Sequence, residues 1–230
     1  HDDPGHITWG WKDQLLGERA WYYAKVLRKR ATIISLDLLP YFYALSENYG
    51  APAEDYLIQY QEGRLSIESK TVYEVLLNEG PLDTIALRSA ARLTSSSSNA
   101  AYARAMDQLQ TDFKVLPVGV APVGAWRYAF VYDLVTRHYP DLPEAARPIP
   151  TNAARRELAR RYFLSMGAAT LRDLRMLFGW HPADLDRAVS ALVTTGIITA
   201  QVAVEGSRDE WYALPELFDG DVTARKGDLT

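Results

Sequence analysis

The sequence predicts an α+β fold, mostly α, built from tandem winged-helix (helix-turn-helix) modules with small antiparallel wings. The first observation behind this is an element order that occurs twice, about 85 residues apart. Residues 68–133 read as helix, Gly-Pro, helix, loop, helix, strand, glycine-bearing turn, strand, and residues 155–214 repeat that order. The second is a set of matched residues. Gly80-Pro81 corresponds to Gly167-Ala168, Leu87-Arg88 to Leu174-Arg175, and Arg104-Ala105-x-x-x-Leu109 to Arg187-Ala188-x-x-x-Leu192. The third is that each copy closes with two short strand-like runs about a turn, the pattern of a wing.

Taken in order, His1-Asp2-Asp3-Pro4-Gly5 reads as loop, and a start at His1 suggests residues upstream or a processed or trimmed end. Trp9, Trp11, Trp21, Tyr22 and Tyr23 follow at spacings that suit a packed core better than base stacking. Ala31 to Leu39 is a strand or buried segment, stopped by Pro40 ahead of a helix over residues 41–48. Gly50 and Pro52 mark a turn into a helix ending near Glu62. Residues 1–65 thus form a helical region, either a small domain or a third, degenerate winged helix.

The first clear winged helix spans 66–140. Ser66 is an N-cap for a helix that Gly80-Pro81 stops, and Asp83 caps the second helix. Thr94 to Asn99 supplies the turn before a third helix that runs to about Asp112, with Ala105, Met106 and Leu109 inward. Residues 115–120 and 127–132 are the wing strands. Residues 141–150 are a linker, stiff and extended because three prolines fall within eight residues. The second winged helix spans 151–215, its third helix starting near Pro182, its ribbon at 197–204 and 210–214, and a tail follows over 216–230.

Composition bounds the function classes. With 230 residues, 48% hydrophobic and 23% charged, the chain buries a real core. No apolar run is long enough for a transmembrane helix, and the N-terminus lacks signal-peptide order, so no membrane partner is expected. Zero cysteines exclude disulfides and thiolate chemistry and suit a cytoplasmic protein. The histidines His1, His6, His138 and His181 lack metal-ligand spacing, so no metal site is predicted. No P-loop, GxGxxG or G-x-S-x-G occurs, and no cofactor is predicted.

The net charge of −4 argues against a broadly basic DNA footprint, but the bases are clustered. Arg28, Lys29 and Arg30 form one group, Arg155 and Arg156 with Arg160 and Arg161 another, and Arg172 with Arg175 a third. Each is also an ordinary solvated face when taken alone. Helix starts present side chains to base edges and free amides to phosphates. That selects Ser97, Ser98, Asn99 and Tyr102 in the first copy, and His181, Asp184 and Arg187 in the second, although Asp184 repels phosphate. Arg127 and Arg208 sit on the wings.

The stretch Ala154 to Tyr162, then Gly167 to Leu174, with Val202 to Gly206 and Trp211 to Leu214, resembles an inner winged helix of the bacterial alkylpurine and crosslink-unhooking DNA glycosylases (the AlkZ and YcaQ family). Trp126-Arg127-Tyr128 and Val131-Tyr132-Asp133-Leu134-x-x-Arg137-x-Tyr139-Pro140 resemble the wing and exit of the preceding module. The likeness covers roughly residues 30–215. The resemblance implies duplex DNA as partner, intact, alkylated or crosslinked. It also implies a Gln-apolar-Gln or Gln-apolar-Asp motif that positions water and stabilises the sugar cation. The aligned segment here is Ser35-Leu36-Asp37, where Asp37 stands as the catalytic acidic member and Ser35 replaces the Gln. Gln59-Tyr60-Gln61 spells the motif but follows the wrong upstream sequence. The family's larger members carry a C-terminal β-barrel for which this sequence has no room, as in a shortened or trimmed relative.

Three functions follow as expectations: a DNA-binding relative of repair glycosylases, an active glycosylase using Asp37, and a winged-helix scaffold for a protein partner. Whether the chain is an enzyme stays open at this stage. A positive face and the setting of Asp37 discriminate among them.

Overall fold

The computed structural model describes residues 4–125 and 127–218; His1, Trp126 and the tail from residue 219 lie outside the described residues. The chain divides into two compact units, residues 1–150 and 151–230.

The first unit opens with α1 (Pro4–Leu15), so Pro4 and Gly5, expected in a loop, begin a helix, where proline's missing N–H is harmless. β1 (Tyr22–Lys25) and β2 (Ala31–Ile34) pair as an antiparallel hairpin with Tyr22 opposite Ile34. Next come α2 (Leu39–Tyr43), α3 (Asp55–Gln61) and α4 (Ile67–Glu79). The Ser66 hydroxyl accepts the Ser69 N–H to start α4, and Gly80, at φ +88°, ends it. β3 (Leu82–Asp83) leads into α5 (Thr84–Ala90), whose first amides, Ile85 and Ala86, donate to the Asp83 carboxylate. α6 (Asn99–Thr111), β4 (Val115–Ala121), β5 (Ala129–Leu134), α7 (Val135–His138) and α8 (Leu142–Ala146) complete it. The three-stranded sheet runs in the order β3-β5-β4. Pro117 is tolerated because β4 is an edge strand, and a bulge follows it before Gly119.

Two apolar clusters hold this unit. Val72, Leu76, Leu87, Leu109 and Val115 are fully buried in one. In the other, Tyr22, Ile34, Leu39 and Tyr43 meet Phe113, Leu116, Val135, Leu142 and Ala146, with the Tyr22 ring stacked on Phe113 at 5.3 Å. Each such side chain contributes roughly 1.5–3 kcal/mol on burial. Two expectations are thereby corrected. Residues 1–65 do not stand apart, because their hairpin and α2 share a core with β4 and α7. Nor is 141–150 an extended linker: Leu142 and Ala146, one turn apart in α8, reach that core, and burial outweighs the prolines' preference for extension.

The end of α4 is tied down by Arg137. Its guanidinium donates to the carbonyls of Leu76 (3.0 Å) and Leu77 (3.1 Å) and pairs with the buried Asp133. Tyr139 adds a hydrogen bond to the Trp21 carbonyl at 2.8 Å. The Asp133-x-x-x-Arg137-x-Tyr139 pattern therefore staples helix, sheet and N-terminal hairpin together. Lys114 is also buried, its Nζ 2.5 Å from Asn48 Oδ1 and near Asp55, Asp112 and the Tyr73 ring.

The second unit runs α9 (Thr151–Met166), β6 (Ala168–Thr170), α10 (Leu171–Phe178), α11 (Pro182–Thr194), β7 (Thr199–Val202) and β8 (Trp211–Ala213). Its sheet order is β6-β8-β7. Thr170 and Asp173 form a reciprocal capping box at the start of α10, and Gly179 ends it in the left-handed region. Ala159, Phe163, Leu174, Leu185, Leu192 and Ile198 fill the core. The matched positions have matching environments: Leu87 and Leu174, Ala105 and Ala188, and Leu109 and Leu192 are buried, whereas Arg104 and Arg187 are exposed. Among the described residues no helix is long and apolar enough to cross a membrane, and no group of three potential ligands could hold a metal.

Replacing Arg137 with Leu is expected to lower the stability of the first unit by about 2–3 kcal/mol in urea titration, since it strands a buried carboxylate and two helix-end carbonyls. A loss under about 0.5 kcal/mol would mean that water satisfies them equally well. For Lys114, burial lowers the pKa to about 8 from its ordinary 10.5. Between these values the unfolded chain binds more protons, so stability contributed here rises with pH. Wild type should gain on the order of 1 kcal/mol from pH 8 to 9.5 relative to Lys114→Met. The buried tyrosines, whose ionisation has the opposite sign, are common to both proteins.

Candidate nucleic-acid interface

In the first unit, the hairpin tip is the turn from Leu27 to Arg30, closed by the Arg30 N–H donating to the Leu27 carbonyl at 2.9 Å. Its central residues, Arg28 and Lys29, both have φ of 56°. Positive φ at both central positions is the type I′ requirement, normally met by Asn-Gly. Arg28, Lys29 and Arg30 are all exposed. A non-glycine residue held in this region costs roughly 1–2 kcal/mol. Of the seven described non-glycine residues with positive φ, five are exposed bases (Arg19, Arg28, Lys29, Arg92 and Arg127), the others being Phe113 and Gln201. Strain is thus accepted repeatedly where it holds a cation outward.

The hairpin lies on the C-terminal half of α6. Lys25 Nζ pairs with Asp107 at 2.6 Å, the Lys25 N–H donates to Gln110 Oε1, and the Thr111 hydroxyl donates to the Lys25 carbonyl. Only the first half of α6 is left uncovered by these contacts. Lys29 and Arg104 line one groove of about 370 Å³ with Ser66, Glu68, Ala101 and Gln108. At the start of α6, Arg88 donates to the Leu93 carbonyl (2.9 and 2.7 Å) and to Asn99 Oδ1 (2.6 Å), fixing both the turn and the exposed Asn99. Ser98 spends its hydroxyl on the Ser95 carbonyl at 2.7 Å.

Tyr102 is a correction. It is only 8% exposed and belongs to the core with Leu87 and Leu109, its hydroxyl buried without a partner and its pKa raised by burial. It shares the inward stripe of Ala105, Met106 and Leu109, so helical spacing turns it away from any ligand. Arg127 is exposed in the turn between β4 and β5, its N–H bonded to the Gly124 carbonyl. The expected strand starting at residue 127 begins only at Ala129.

Asp37 is exposed, in a turn where the Leu38 and Leu39 amides donate to the Ser35 carbonyl. It lies beyond the far end of β2 from the Arg28–Arg30 tip, and four strand residues span about 13 Å. Gln59, in the competing Gln59-Tyr60-Gln61 stretch, is buried and braces the Glu47 carbonyl at 2.9 Å.

In the second unit, Arg155, Arg156 and Arg187 line a single cleft of about 210 Å³ between α9 and α11, with Asn152 and Asp184. Asp184 lies 3.2 Å from each of Arg155 and Arg187, and Arg187 reaches Asn152 Oδ1 at 3.4 Å. Arg160 and Arg161 do not join them. Glu157, at i+3 and i+4 spacing, pairs with both, and these arginines hold its carboxyl below the usual range against a smaller opposing effect of burial. His181 caps α11, its Nδ1 accepting the Ala183 N–H at 3.3 Å, and remains exposed. Arg208 is exposed between β7 and β8.

The family profile described as AlkZ related matches residues 1–179. The chain belongs to the AlkZ-related family. Among solved structures, the Streptomyces sahachiroi DNA glycosylase AlkZ superposes with a TM-score of 0.58 at 13% identity, covering 89% of this chain and 55% of that chain. This likeness is one of fold, and the AlkZ-related chain spans about half the length of that glycosylase chain. No curated protein sequence matches it.

Sequence reasoning missed three residues in this AlkZ-related chain. Arg104 was legible as the partner of Arg187 in the matched pattern, and Arg88 as that of Arg175. Asn152 left no signal, since only the fold brings the start of α9 to α11. Replacing Lys29 with Gly is expected to stabilise the first unit by about 1 kcal/mol by relieving the left-handed conformation. A destabilisation in thermal unfolding would show that the lysine stem, not the backbone, dominates there.

Proposed function

We propose that this chain is a DNA-binding protein related to repair glycosylases, with two winged-helix modules that clasp duplex DNA, intact, alkylated or crosslinked. The carrying observation is the placement of exposed bases at strained backbone positions, with Lys29 beside the open first half of α6. Each unit has the helix, short strand, helix, helix, strand, strand order and the sheet order of a winged helix. In this reading α6 and α11 are the recognition helices. Asn99 faces base edges, while Arg28 to Arg30, Arg127 and Arg208 contact phosphates or the minor groove. Ser98 and His181 serve the helix starts, where free amides meet phosphate. Arg155, Arg156 and Arg187 provide a second cationic site. The net charge of −4 does not oppose this, because at moderate salt fields are confined to about 10 Å and local clusters act alone.

Family membership favours a second reading, an active glycosylase. Against Asp37 as its carboxylate stands its exposure: surrounding water weakens the stabilisation of a developing cation. The binder reading is therefore preferred.

The test is binding of the chain to intact and alkylated duplexes at low and moderate salt. Salt-dependent binding to both is expected. Arg127→Ala should weaken binding similarly across sequences and flatten the salt slope by about 1. Release of base from the alkylated duplex alone, abolished by Asp37→Asn, would replace the binder with the enzyme. No binding at low salt would leave the protein-interaction scaffold as the surviving function.

A further inference from the structure

Asp184 holds the cleft between α9 and α11 in a lopsided state. Each of its oxygens takes one arginine, Oδ2 facing Arg155 and Oδ1 facing Arg187, both at 3.2 Å. These are long for charge-assisted hydrogen bonds, which lie near 2.7–2.9 Å. On α9, by contrast, Glu157 receives both Nε and Nη2 of Arg160 at 2.7 Å. Arg155 Nε is buried with no hydrogen-bond partner. Arg156 is exposed and makes no ion pair among the described residues. Three guanidinium groups thus line a space of about 210 Å³ with one carboxylate that pairs with two of them, leaving two uncompensated positive charges. An unpaired guanidinium N–H out of water is a donor waiting for an acceptor.

We infer that this cleft binds one phosphodiester group of the duplex, and that Asp184 is its resident competitor, occupying Arg155 and Arg187 until a DNA phosphate takes them. The inference rests on the DNA-binding reading proposed above. A phosphodiester offers two terminal oxygens and one negative charge, the same fork that a carboxylate presents, and guanidinium groups recognise both. Unlike Asp184, whose position is set by the α11 backbone, a phosphate entering from outside can settle closer to the arginines. The start of α9 lies at the same cleft through Asn152 and Ala153 and adds free amides of the favourable sign. The arrangement makes affinity self-limiting, because each binding event gives up the Asp184 pairs.

The experiment compares wild type, Asp184→Asn and Arg155→Gln in anisotropy titrations of a short duplex over a salt series. In parallel, inorganic phosphate is titrated while the arginine Nε–Hε resonances are followed by NMR. Asp184→Asn should tighten duplex binding several-fold at low salt and lower the phosphate concentration needed to shift Arg155. Arg155→Gln should weaken duplex binding and flatten its salt slope by about 1. Should Arg155→Gln fail to fold, the Asp184→Asn comparison decides alone. Duplex binding that is unchanged in both variants, or weaker in Asp184→Asn, would overturn the competitor role while leaving the DNA reading intact. Phosphate shifts at Arg155 in a chain that binds no duplex would support the anion cleft and remove the DNA reading.

Discussion

A hairpin laid across a helix brings backbone groups out of water that its own ladder does not satisfy, and here α6 supplies the partners. Lys25 exchanges hydrogen bonds with Gln110 and Thr111 through its backbone and pairs with Asp107 through its side chain. Much else in the first unit follows. With the hairpin fixed there, Tyr22 stacks on Phe113, and α2 and α8 close over the resulting core. The same contact covers the second half of α6, leaves Asn99 to Arg104 uncovered, and carries Lys29 to the groove beside Arg104.

The motif that resembles the glycosylases most specifically in this unit works through structure. Asp133, Arg137 and Tyr139 spend their polar atoms on the end of α4, on each other and on the Trp21 carbonyl. A buried helix end needs its carbonyls satisfied, and arginine can serve two of them while neutralising a carboxylate. Such a pattern can persist among proteins of different activity, since it answers a demand of the fold and not of a substrate. The segment aligned with the glycosylase chemistry, Ser35 to Asp37, lies instead on an exposed turn.

Charge is organised locally in both units. The chain is acidic overall, yet each carboxylate offsets only part of the arginine charge around it, Glu157 in close pairs with Arg160 and Arg161 and Asp184 in longer ones with Arg155 and Arg187. Backbone strain adds a second layer, with Arg28, Lys29, Arg92 and Arg127 at positions where glycine or asparagine would be more stable.

By itself the sequence determined the local elements, since caps and breakers act within a few residues: Ser66, Asp83 and Gly80 bound their helices as read, and the inward stripe of Ala105, Met106 and Leu109 is periodic in the chain. It also carried the family, through a pattern spread over most of its length. Only the tertiary structure decided that residues 1–65 and 141–150 belong to one core, because burial of Leu142 or Tyr22 depends on partners more than 80 residues away. The same periodicity already put Tyr102 on that stripe, three and four residues before Ala105 and Met106, and the structure shows it buried there. The tertiary structure also separated Arg155 and Arg156 from Arg160 and Arg161, neighbours in sequence that a helix turns toward different acids, and brought Arg187 from a distant helix to complete the cleft.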